Sequence, residues 1–376
     1  MNTETLPPPE WIATPTDLDK MAGRLSKEAR IAVDTESNSL HAYREQVCLV
    51  QFSVPGRDYL VDPLVLPDLS SLGPLFSNPK IEKIFHAAEY DLICLKRSFS
   101  IQVSGIFDTM QAGRMLGYRQ VGLDAMLLEK MGITHNKKYQ KADWGMRPLT
   151  DEMLSYARLD THYLLDLRDH LSSELKQEQR WELAQEEFRR LARGSENSKE
   201  EPQPWQRVKG VQHFNDRQIT ILQELCDWRE HKASQMDRPI FKVIDNNRLA
   251  NIVKNMPVSM EQLESDGLTS RQVKAYGHDL LEALQRGKSM PLLHRPRQKR
   301  PDHAQVERAK ALSAWRRRTA VKWGIESDLI LPKNWMITIS EKNPKTLKDL
   351  AGILEDSPWR LEHFGLEILK ILNGNE

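Results

Sequence analysis

The sequence predicts an α/β domain with a mixed sheet, followed by two small modules built only of helices. Two observations lead to this fold class. In residues 1–195, segments with strand character precede segments whose apolar residues recur about every 3.6 positions, which is the order expected of helices packed on a sheet. Beyond residue 210 the pattern is helical throughout, and it repeats.

Four segments of the first part have strand character, namely ARIAVDTES, QVCLVQFSV, RDYLVDP and KIEKIFHA. The continuous apolar run IAVD predicts that the first of them is a central strand, buried on both faces. Helices are expected at AEYDLICLKRSF, DTMQAGRMLG, LDAMLLEKMG and TDEMLSYARLDTHYLLDLRDHL. Asp108 and Thr150 are the expected N-caps of two helices, and Gly117 and Gly132 are expected helix ends.

The helical part contains two copies of one module. Residues 225–263 align without a gap with the residues that lie 87 positions later. The matched pairs include Trp228 with Trp315, Arg229 with Arg316, Ala233 with Ala320, Ile252 with Ile339 and Pro257 with Pro344. A single offset held over this span indicates a duplication.

Polar stretches that contain proline separate these parts. We expect the α/β domain at 1–195, a linker at 196–210, the first helical module at 211–288, a basic linker at 289–302 and the second helical module at 303–376. Each module has about 75 to 85 residues, which is enough for a marginal core of its own.

The composition is that of an ordinary globular protein, with 39% hydrophobic and 28% charged residues. The polar, proline-rich start lacks the pattern of a signal peptide, and no run of about 18 apolar residues predicts a membrane span. Cys48, Cys94 and Cys226 are scattered, which argues against disulfides or a zinc site and for a reducing compartment. We therefore expect a cytoplasmic protein with no membrane partner, and a monomer, although the sequence does not fix the oligomeric state.

Basic residues are clustered although the net charge is only +1. Twelve Lys or Arg residues and two acids lie in 286–322, and a second group consists of Lys137, Lys138, Lys141 and Arg147. Such groups bind backbone phosphates. A solvated linker and ordinary surface charge are the alternative explanation. Because the second group precedes the Tyr156 helix described next, we predict that it contacts a substrate.

Acidic residues that could form one site occur in three segments. Asp34 and Glu36 alternate along a strand, so both side chains point to one face. Tyr156 and Asp160 lie about one turn apart on a helix and also share a face. Asp91 stands early in a helix that follows a strand.

Each of these segments alone has an ordinary structural explanation. A strand-end acid can be exposed, an acid in the first turn of a helix favours the dipole, and a tyrosine can be half-buried core. Glu89 also competes with Asp91 as a ligand in the same turn. Gathered together, however, carboxylates repel unless cations hold them, and oxygen ligands suit Mg²⁺ or Mn²⁺. Such ions serve in-line attack on a phosphodiester. Tyr156 is a neutral phenol with a pKa near 10, so it is a poor base for removing a proton from an attacking water. Orienting that water is the task that suits it better.

In this order and context the three segments resemble the exonuclease motifs of the DEDD superfamily, in its tyrosine-bearing subclass. This implies a ribonuclease H-like exonuclease domain. FDTMQAGRMLG and KADWGMRPLTDEMLSYARLDTHYLL are similar to the corresponding stretches of bacterial ribonuclease D and its eukaryotic exosome-associated relatives. The helical repeats resemble HRDC domains, the nucleic-acid-binding modules of ribonuclease D and RecQ helicases. The resemblance covers nearly all of residues 20–375.

The resemblance implies a 3′→5′ exoribonuclease that releases nucleoside 5′-monophosphates from RNA with a single-stranded 3′ end, such as tRNA precursors. It also implies two divalent ions, Mg²⁺ or Mn²⁺. Asp34 would contact both ions, Glu36 and Asp160 would hold the ion that carries the nucleophilic water, and Asp91 would hold the other. Tyr156 would position that water.

Thr35 and Leu40 are further candidate substrate contacts because they lie beside the first motif. Two other functions stay open. A DNA exonuclease would use the same ligands, so the motifs do not discriminate between the two substrates. A nucleic-acid-binding scaffold with an inactive nuclease domain is expected to lack a ligand, and none is missing.

Overall fold

The structure is a computed structural model that describes residues 6–134, 137–194, 202–295, 302–355 and 357–374. The chain divides into two compact units. One unit comprises residues 1–37, 47–197 and 300–376, and the other comprises 38–46 and 198–299. The second helical module therefore forms one unit with the α/β domain, which the boundaries expected from the sequence do not indicate.

The strands are β1 Glu10–Ile12, β2 Arg30–Ser37, β3 Val47–Val54, β4 Arg57–Val61, β5 Glu82–Phe85 and β6 Ile106–Asp108. In the part of the chain that the structure describes, they form one sheet in the order β1-β4-β3-β2-β5-β6. β2 pairs antiparallel with β3 and parallel with β5, so the sheet is mixed and β2 is central, as predicted. β1 and β6 have three residues each, too few for a periodic pattern to indicate them.

The helices of the α/β domain are α1 Pro15–Leu25, α2 Gly73–Ser77, α3 Glu89–Phe99, α4 Thr109–Met115, α5 Leu123–Met131, α6 Asp151–His162, α7 Leu164–Gln177 and α8 Trp181–Gly194. Asp108 and Thr150 cap α4 and α6, each accepting a backbone N–H three residues on. The single helix expected over TDEMLSYARLDTHYLLDLRDHL is wrong, because the chain leaves helical geometry at Tyr163. The apolar spacing continues across this break, so the sequence does not reveal it.

The first helical module contains α9 Asp216–Gln235, α10 Ile240–Val243, α11 Asn246–Asn255, α12 Met260–Ser265 and α13 Ser270–Ser289. The second contains α14 His303–Trp323, α15 Ser327–Ile330, α16 Lys333–Lys342, α17 Leu347–Leu354 and α18 Pro358–Leu372. The duplication extends to single hydrogen bonds. Arg229 donates to the carbonyl of Ile244 and Arg316 to that of Leu331, both at 2.9 Å.

Parts of both expected linkers are folded against the first module. Pro204–Arg207 forms a short 3₁₀ helix, and Trp205 is buried in the core of that module. At the other end, the backbone N–H of Leu293 donates to Thr220, and Arg295 donates to the carbonyl of Val211. Residues 196–201 and 296–301 of these linkers lie outside the described residues.

The second module shares a hydrophobic core with the α/β domain. Phe107 and Phe188 of that domain belong to the same buried cluster as Trp359 and Phe364 of α18. The turn after α4 also contacts the module closely. Gly117, expected as a helix end, has a positive φ of 78°, and a Cβ there would overlap the carbonyl oxygen of Gly324. Glycine at 117 is thus required by both backbone conformation and space.

Candidate active site

Two elements bring three of the predicted carboxylates together. β2 carries Asp34 and Glu36 in the middle of the sheet, and α6 packs on β2, β3 and β4 with Asp160 near its C-terminal end. Carboxylate oxygens of these three residues lie within 4.8 Å of one another. All three side chains are half-buried, so they remain accessible to a ligand.

Burial and mutual repulsion raise the pKa of these carboxyls. For Asp34 burial is the larger cause, and the Asp160 carboxylate adds to it. The pKa of Glu36 is raised by burial and then by Asp34, Asp160 and Asp91. Burial, followed by repulsion from Asp91, raises the pKa of Asp160 to about 8. A cation bound between like charges held this close lowers their electrostatic free energy.

The oxygens fit a divalent cation by their chemistry as well as their charge. A set of closely spaced carboxylate oxygens is the donor type that Mg²⁺ and Mn²⁺ prefer. Asp34, Glu36 and Asp160 are thus the residues of this site that could hold such an ion.

Asp91 adjoins this group without being part of it. It lies in the first turn of α3, is only 5% exposed, and accepts a hydrogen bond from the Thr35 hydroxyl at 2.5 Å. Burial first, and then the charge of Asp34, raise the pKa of Asp91 well above its usual value. Glu89, the rival in the same turn, is exposed. The structure therefore favours Asp91 over Glu89.

Tyr156 stands on α6 beside the carboxylates with its ring held by aromatic neighbours. Its ring centroid lies 5.8 Å from that of Tyr139 and 6.1 Å from that of Trp144. Burial, followed by the charges of Asp160, Glu36 and Asp34, raises the pKa of the Tyr156 phenol. The phenol is therefore neutral at ordinary pH, as the orienting function predicted for it requires.

A cavity of about 390 Å³ adjoins the same tyrosine, and its wall includes Lys138, Tyr139, Tyr156 and Leu159. Lys138 lies over the Tyr139 ring, 4.9 Å from the centroid. Among the basic residues predicted to contact substrate, Lys138 is thus the one that shares a cavity with Tyr156. Lys137 instead pairs with Asp124 at 2.8 Å, and Lys141 is exposed on the surface.

The side chain of Arg147 makes structural contacts that its sequence context did not indicate. It binds both oxygens of the buried Asp62 carboxylate at 2.7 Å and also donates to the carbonyls of Trp144 and Cys48. The guanidinium thereby joins the segment before α6 to the sheet. These contacts favour a structural role for Arg147 over the substrate contact predicted from the sequence.

The two candidates beside the first motif lie in different environments. The hydroxyl of Thr35 is engaged with Asp91, so it orients a carboxylate instead of presenting a free donor. Leu40 is 38% exposed and belongs to the segment 38–46, which is grouped with the first helical module.

A buried polar network behind α6 was missed by the sequence analysis. Asp58 of β4 accepts hydrogen bonds from Arg158, from His162 at 2.9 Å and from Ser53 at 2.6 Å. Ser53 also bonds to Thr161 of α6 at 2.7 Å. Burial would raise the pKa of Asp58, but the hydrogen bonds from His162, Ser53 and Arg158 hold it below its usual value. The motif RLDTH contains three of these partners, but only the fold shows what they bind.

Comparison with known proteins agrees with this geometry. A family model for 3′-5′ exonucleases matches residues 9–176, and an HRDC domain model matches 218–284 and 305–372. Ribonuclease D of Jannaschia sp. is 29% identical over 381 residues, which cover 97% of this chain and 96% of that protein. The chain is a homologue of ribonuclease D along nearly its whole length. It carries a 3′-5′ exonuclease domain followed by two HRDC domains.

Other relatives match about two thirds of the chain. Exosome complex exonuclease RRP6 of Saccharomyces cerevisiae is 35% identical over 268 residues, 67% of this chain and 37% of that protein. The chain spans between 31% and 41% of the length of the plant and yeast relatives of this kind. The crystal structure of Escherichia coli RNase D matches with a TM-score of 0.72 at 24% identity, over 100% of this chain and 99% of that one. This match supports the fold of a ribonuclease D.

The 3′-5′ exonuclease family, whose model matches residues 9–176, uses divalent metal ions at such an acidic site, in agreement with the three clustered carboxylates. Among the described residues, no helix combines the length and apolar character needed to cross a membrane.

Proposed function

We propose that this ribonuclease D homologue is a 3′-5′ exoribonuclease that hydrolyses the terminal phosphodiester and releases nucleoside 5′-monophosphates. The observation that carries the proposal is the convergence of Asp34, Glu36 and Asp160 within 4.8 Å beside the neutral phenol of Tyr156. Ribonuclease D and an RRP6 exonuclease are among the relatives of this chain, which supports the proposal.

The proposed site residues have distinct tasks. Asp34, Glu36 and Asp160, with Asp91 beside them, would hold two divalent ions, Mg²⁺ or Mn²⁺. Such ions, when bound, lower the pKa of a water and stabilise the charge on a leaving oxygen. Tyr156 would hold the attacking water in line with the phosphorus.

Hydrolysis would join the water oxygen to the phosphorus of the terminal nucleotide and break its bond to the preceding 3′ oxygen. That oxygen would leave with a proton, and the terminal nucleotide would depart with its 5′ phosphate. Lys138, exposed beside the Tyr156 cavity, would bind a phosphate of the same strand. Thr35 would act indirectly, by fixing Asp91.

The proposal extends to the biological setting. The substrates would be small structured RNAs with a single-stranded 3′ end, tRNA precursors among them, and the protein would act as a cytoplasmic monomer. The domain boundaries that we propose remain 1–195, 211–288 and 303–376 with the linkers between them. The two HRDC matches at 218–284 and 305–372 lie inside the last two of these ranges.

The test is incubation of the full-length protein with a 5′-labelled RNA that has a stem and a single-stranded 3′ tail, with Mg²⁺, with Mn²⁺ and with EDTA. A metal-dependent ladder that shortens from the 3′ end is expected, with nucleoside 5′-monophosphates as the product. Asp34→Asn should give no ladder while it keeps the circular dichroism of the wild type.

The matching DNA and the gel-shift assay decide between the alternatives. Faster digestion of DNA than of RNA would favour the DNA exonuclease, and equal digestion would indicate an unselective exonuclease. No ladder with either metal, together with a salt-sensitive shift of RNA mobility, would leave the binding scaffold. An Asp34→Asn protein that keeps a tenth of the wild-type rate would overturn the site assignment.

A further inference from the structure

Gln51 of β3 is a buried polar side chain beside the acidic site. In the register of the sheet it lies directly opposite Asp34 of β2 on one side and Leu60 of β4 on the other. Its exposure is 0%. Within the part of the chain that the structure describes, neither its amide nitrogen Nε2 nor its amide oxygen Oε1 has a hydrogen-bond partner. Burial of an unpaired amide costs free energy, so a glutamine at this position requires an explanation.

The side chain of Gln51 lies on the face of the sheet that α6 covers. Side chains alternate along a strand, so Gln51 shares a face of β3 with Ser53. The hydroxyl of Ser53 bonds to that of Thr161 on α6 at 2.7 Å, which shows that this face is turned toward the helix. Val50 and Phe52, which alternate with Gln51, belong to a different buried cluster on the opposite face. Gln51 is therefore enclosed between the sheet and the helix that completes the acidic site.

Three of the four side chains that flank Gln51 on this face do not provide a ready partner for its amide. Leu49 on β3 and Leu60 on β4 are apolar and belong to the cluster packed under α6. Ser53, the next residue of β3 on this face, already takes part in the Asp58 network, with a bond of 2.6 Å to that carboxylate. The polar groups nearest to Gln51 along its own strand are thus occupied.

The fourth flanking side chain is the carboxylate of Asp34. Directly opposed residues of an antiparallel pair have Cβ atoms about 4.5–5.5 Å apart, a distance that a glutamine side chain can span. An ionised carboxylate accepts hydrogen bonds at both of its oxygens, and an amide nitrogen can donate two. Donor and acceptor therefore match, with Gln51 as the donor and Asp34 as the acceptor.

We propose that Gln51 is a positioning residue of the exonuclease, whose amide N–H donates to the carboxylate of Asp34 when that carboxylate binds a divalent ion. The bond fixes the orientation of Asp34, so that its remaining lone pairs are available to the ion. Partners of this kind orient the groups that ligate a metal, and their loss weakens both metal binding and activity. This inference rests on the proposed function, because it assigns a task at the same metal site.

The position of Gln51 separates its task from that of the neighbouring polar network. Asp58 and Ser53 hold α6 through Arg158 and Thr161, so the loss of either affects the placement of that helix. Gln51 makes no hydrogen bond to α6 among the described residues, and it faces a residue of β2 instead. Replacement of its amide should therefore change the metal site and leave α6 in place.

The test replaces the amide by an apolar group of similar volume, in the variants Gln51→Met and Gln51→Leu. Melting temperature is measured in EDTA, affinity for Mn²⁺ by isothermal titration calorimetry without RNA, and kcat and KM by steady-state digestion of RNA. The control variant is Gln111→Met, which removes another buried glutamine of the same domain. Gln111 lies on α4, and its amide oxygen already accepts a hydrogen bond from Arg114 at 2.8 Å.

Both Gln51 variants are expected to melt in EDTA at or above the temperature of the wild type, because they remove an unpaired buried amide. Their affinity for Mn²⁺ should fall by about 10- to 100-fold, and kcat should fall over the same range while KM for RNA is unchanged. Gln111→Met should show the reverse, a lower melting temperature with the Mn²⁺ affinity of the wild type. A purely structural glutamine at 51 would behave as Gln111 does.

Wild-type affinity for Mn²⁺ in both Gln51 variants would overturn the inference, whatever their melting temperatures. Failure of both variants to fold would also overturn it, since an amide that only orients Asp34 is not needed for folding. Wild-type protein that neither binds Mn²⁺ nor digests RNA would instead refute the proposed function, and the inference with it.

Discussion

At the residue scale, the acidic site holds charges that destabilise the protein in the absence of a cation. Burial raises the pKa of Asp34, Glu36 and Asp160, and the charges of neighbouring carboxylates raise each pKa further. A folded protein keeps such a cluster only when binding repays the electrostatic cost. This makes the stability of the protein itself a readout of the site, independent of catalysis.

We expect the stability of the metal-free protein to fall as pH rises from about 4 to about 8. The unfolded Asp160 carboxyl has a pKa of about 3.9, whereas the folded one has a pKa of about 8, so the folded state binds the extra proton in this window. The stability that this extra proton provides is fully present below the unfolded pKa, and it is lost as the pH rises through the folded pKa. Melting temperatures in EDTA across this range measure the effect.

Asp160→Asn is the matched variant for this measurement, because it keeps the shape and removes the titrating proton. Its melting profile should be shallower than that of the wild type. At pH 8, Mn²⁺ should raise the melting temperature of the wild type and have a smaller effect on the variant. Identical pH profiles for the two proteins would show that Asp160 does not carry the raised pKa.

The phenol of Tyr156 makes the second prediction at this scale. Because its raised pKa keeps it neutral, Tyr156→Phe should remove a positioning hydrogen bond and no charge. Turnover of RNA should fall by about 10² to 10⁴, while the rise in melting temperature with Mn²⁺ is retained. Tyr163→Phe, another half-buried tyrosine at the end of α6, is the control and should keep its rate. An unchanged rate in Tyr156→Phe would remove its proposed task.

At the scale of secondary structure, the sequence reveals which side chains of one strand or helix share a face. It reveals little about contacts between two such elements. Alternation on β2 and the helical turn on α6 made Asp34, Glu36, Tyr156 and Asp160 predictable, and the fold confirms that these elements meet. The role of Asp58 was not predictable, because its partners lie about 100 residues away on α6. The break at Tyr163 was also hidden, since it leaves the apolar spacing intact.

Asp58 fixes the position of the helix that carries half of the site. Asp58→Ala would leave the buried guanidinium of Arg158 without its carboxylate and free α6 to shift on the sheet. A displacement of about 1 Å can cost about a hundredfold in rate, so kcat should fall at least tenfold. The KM for RNA should change little, because Asp58 lies behind the helix and does not face the substrate.

Rescue separates this effect from simple loss of stability. Asp58→Asn can still accept from Arg158 and Ser53, so its kcat should lie between those of the wild type and Asp58→Ala. Asp68→Ala removes an exposed aspartate of the same domain and is the control. Steady-state kinetics below the melting temperature of each variant provide the comparison. If Asp58→Ala lowered only the melting temperature, the positioning role would be excluded.

At the scale of the whole molecule, the two copies of the duplicated module lie in different surroundings. The second copy is part of the exonuclease unit, whose core it completes, and the first copy keeps an open positive face. Arg360 is central to this difference. It lies at 1% exposure between Glu186 and Glu187 of α8, 3.1 Å from each. The repeat pattern predicted both modules, but it could not show that one of them would pack on the exonuclease domain.

Removal of the arginine should therefore destabilise the exonuclease unit. Arg360→Met keeps much of the buried volume but leaves two carboxylates without their cation, and a broken buried pair typically costs about 3–5 kcal/mol. The urea concentration at the unfolding midpoint should fall accordingly. Protease cleavage between the exonuclease domain and the second module should become faster. Arg317→Ala, which removes an exposed arginine of α14, should change stability by less than about 0.5 kcal/mol.

A second substitution identifies the cause of the loss. Burial raises the pKa of Glu186, and Arg360 offsets only part of this rise, so a neutral side chain at 186 needs the arginine less. Adding Glu186→Gln to Arg360→Met should thus recover part of the lost stability, even though it removes another native charge. If the double variant were less stable than Arg360→Met alone, lost packing and not the unpaired carboxylate would explain the effect. The attachment of the second module would then depend mainly on its tryptophans, with the buried ion pairs contributing only to the specificity of docking.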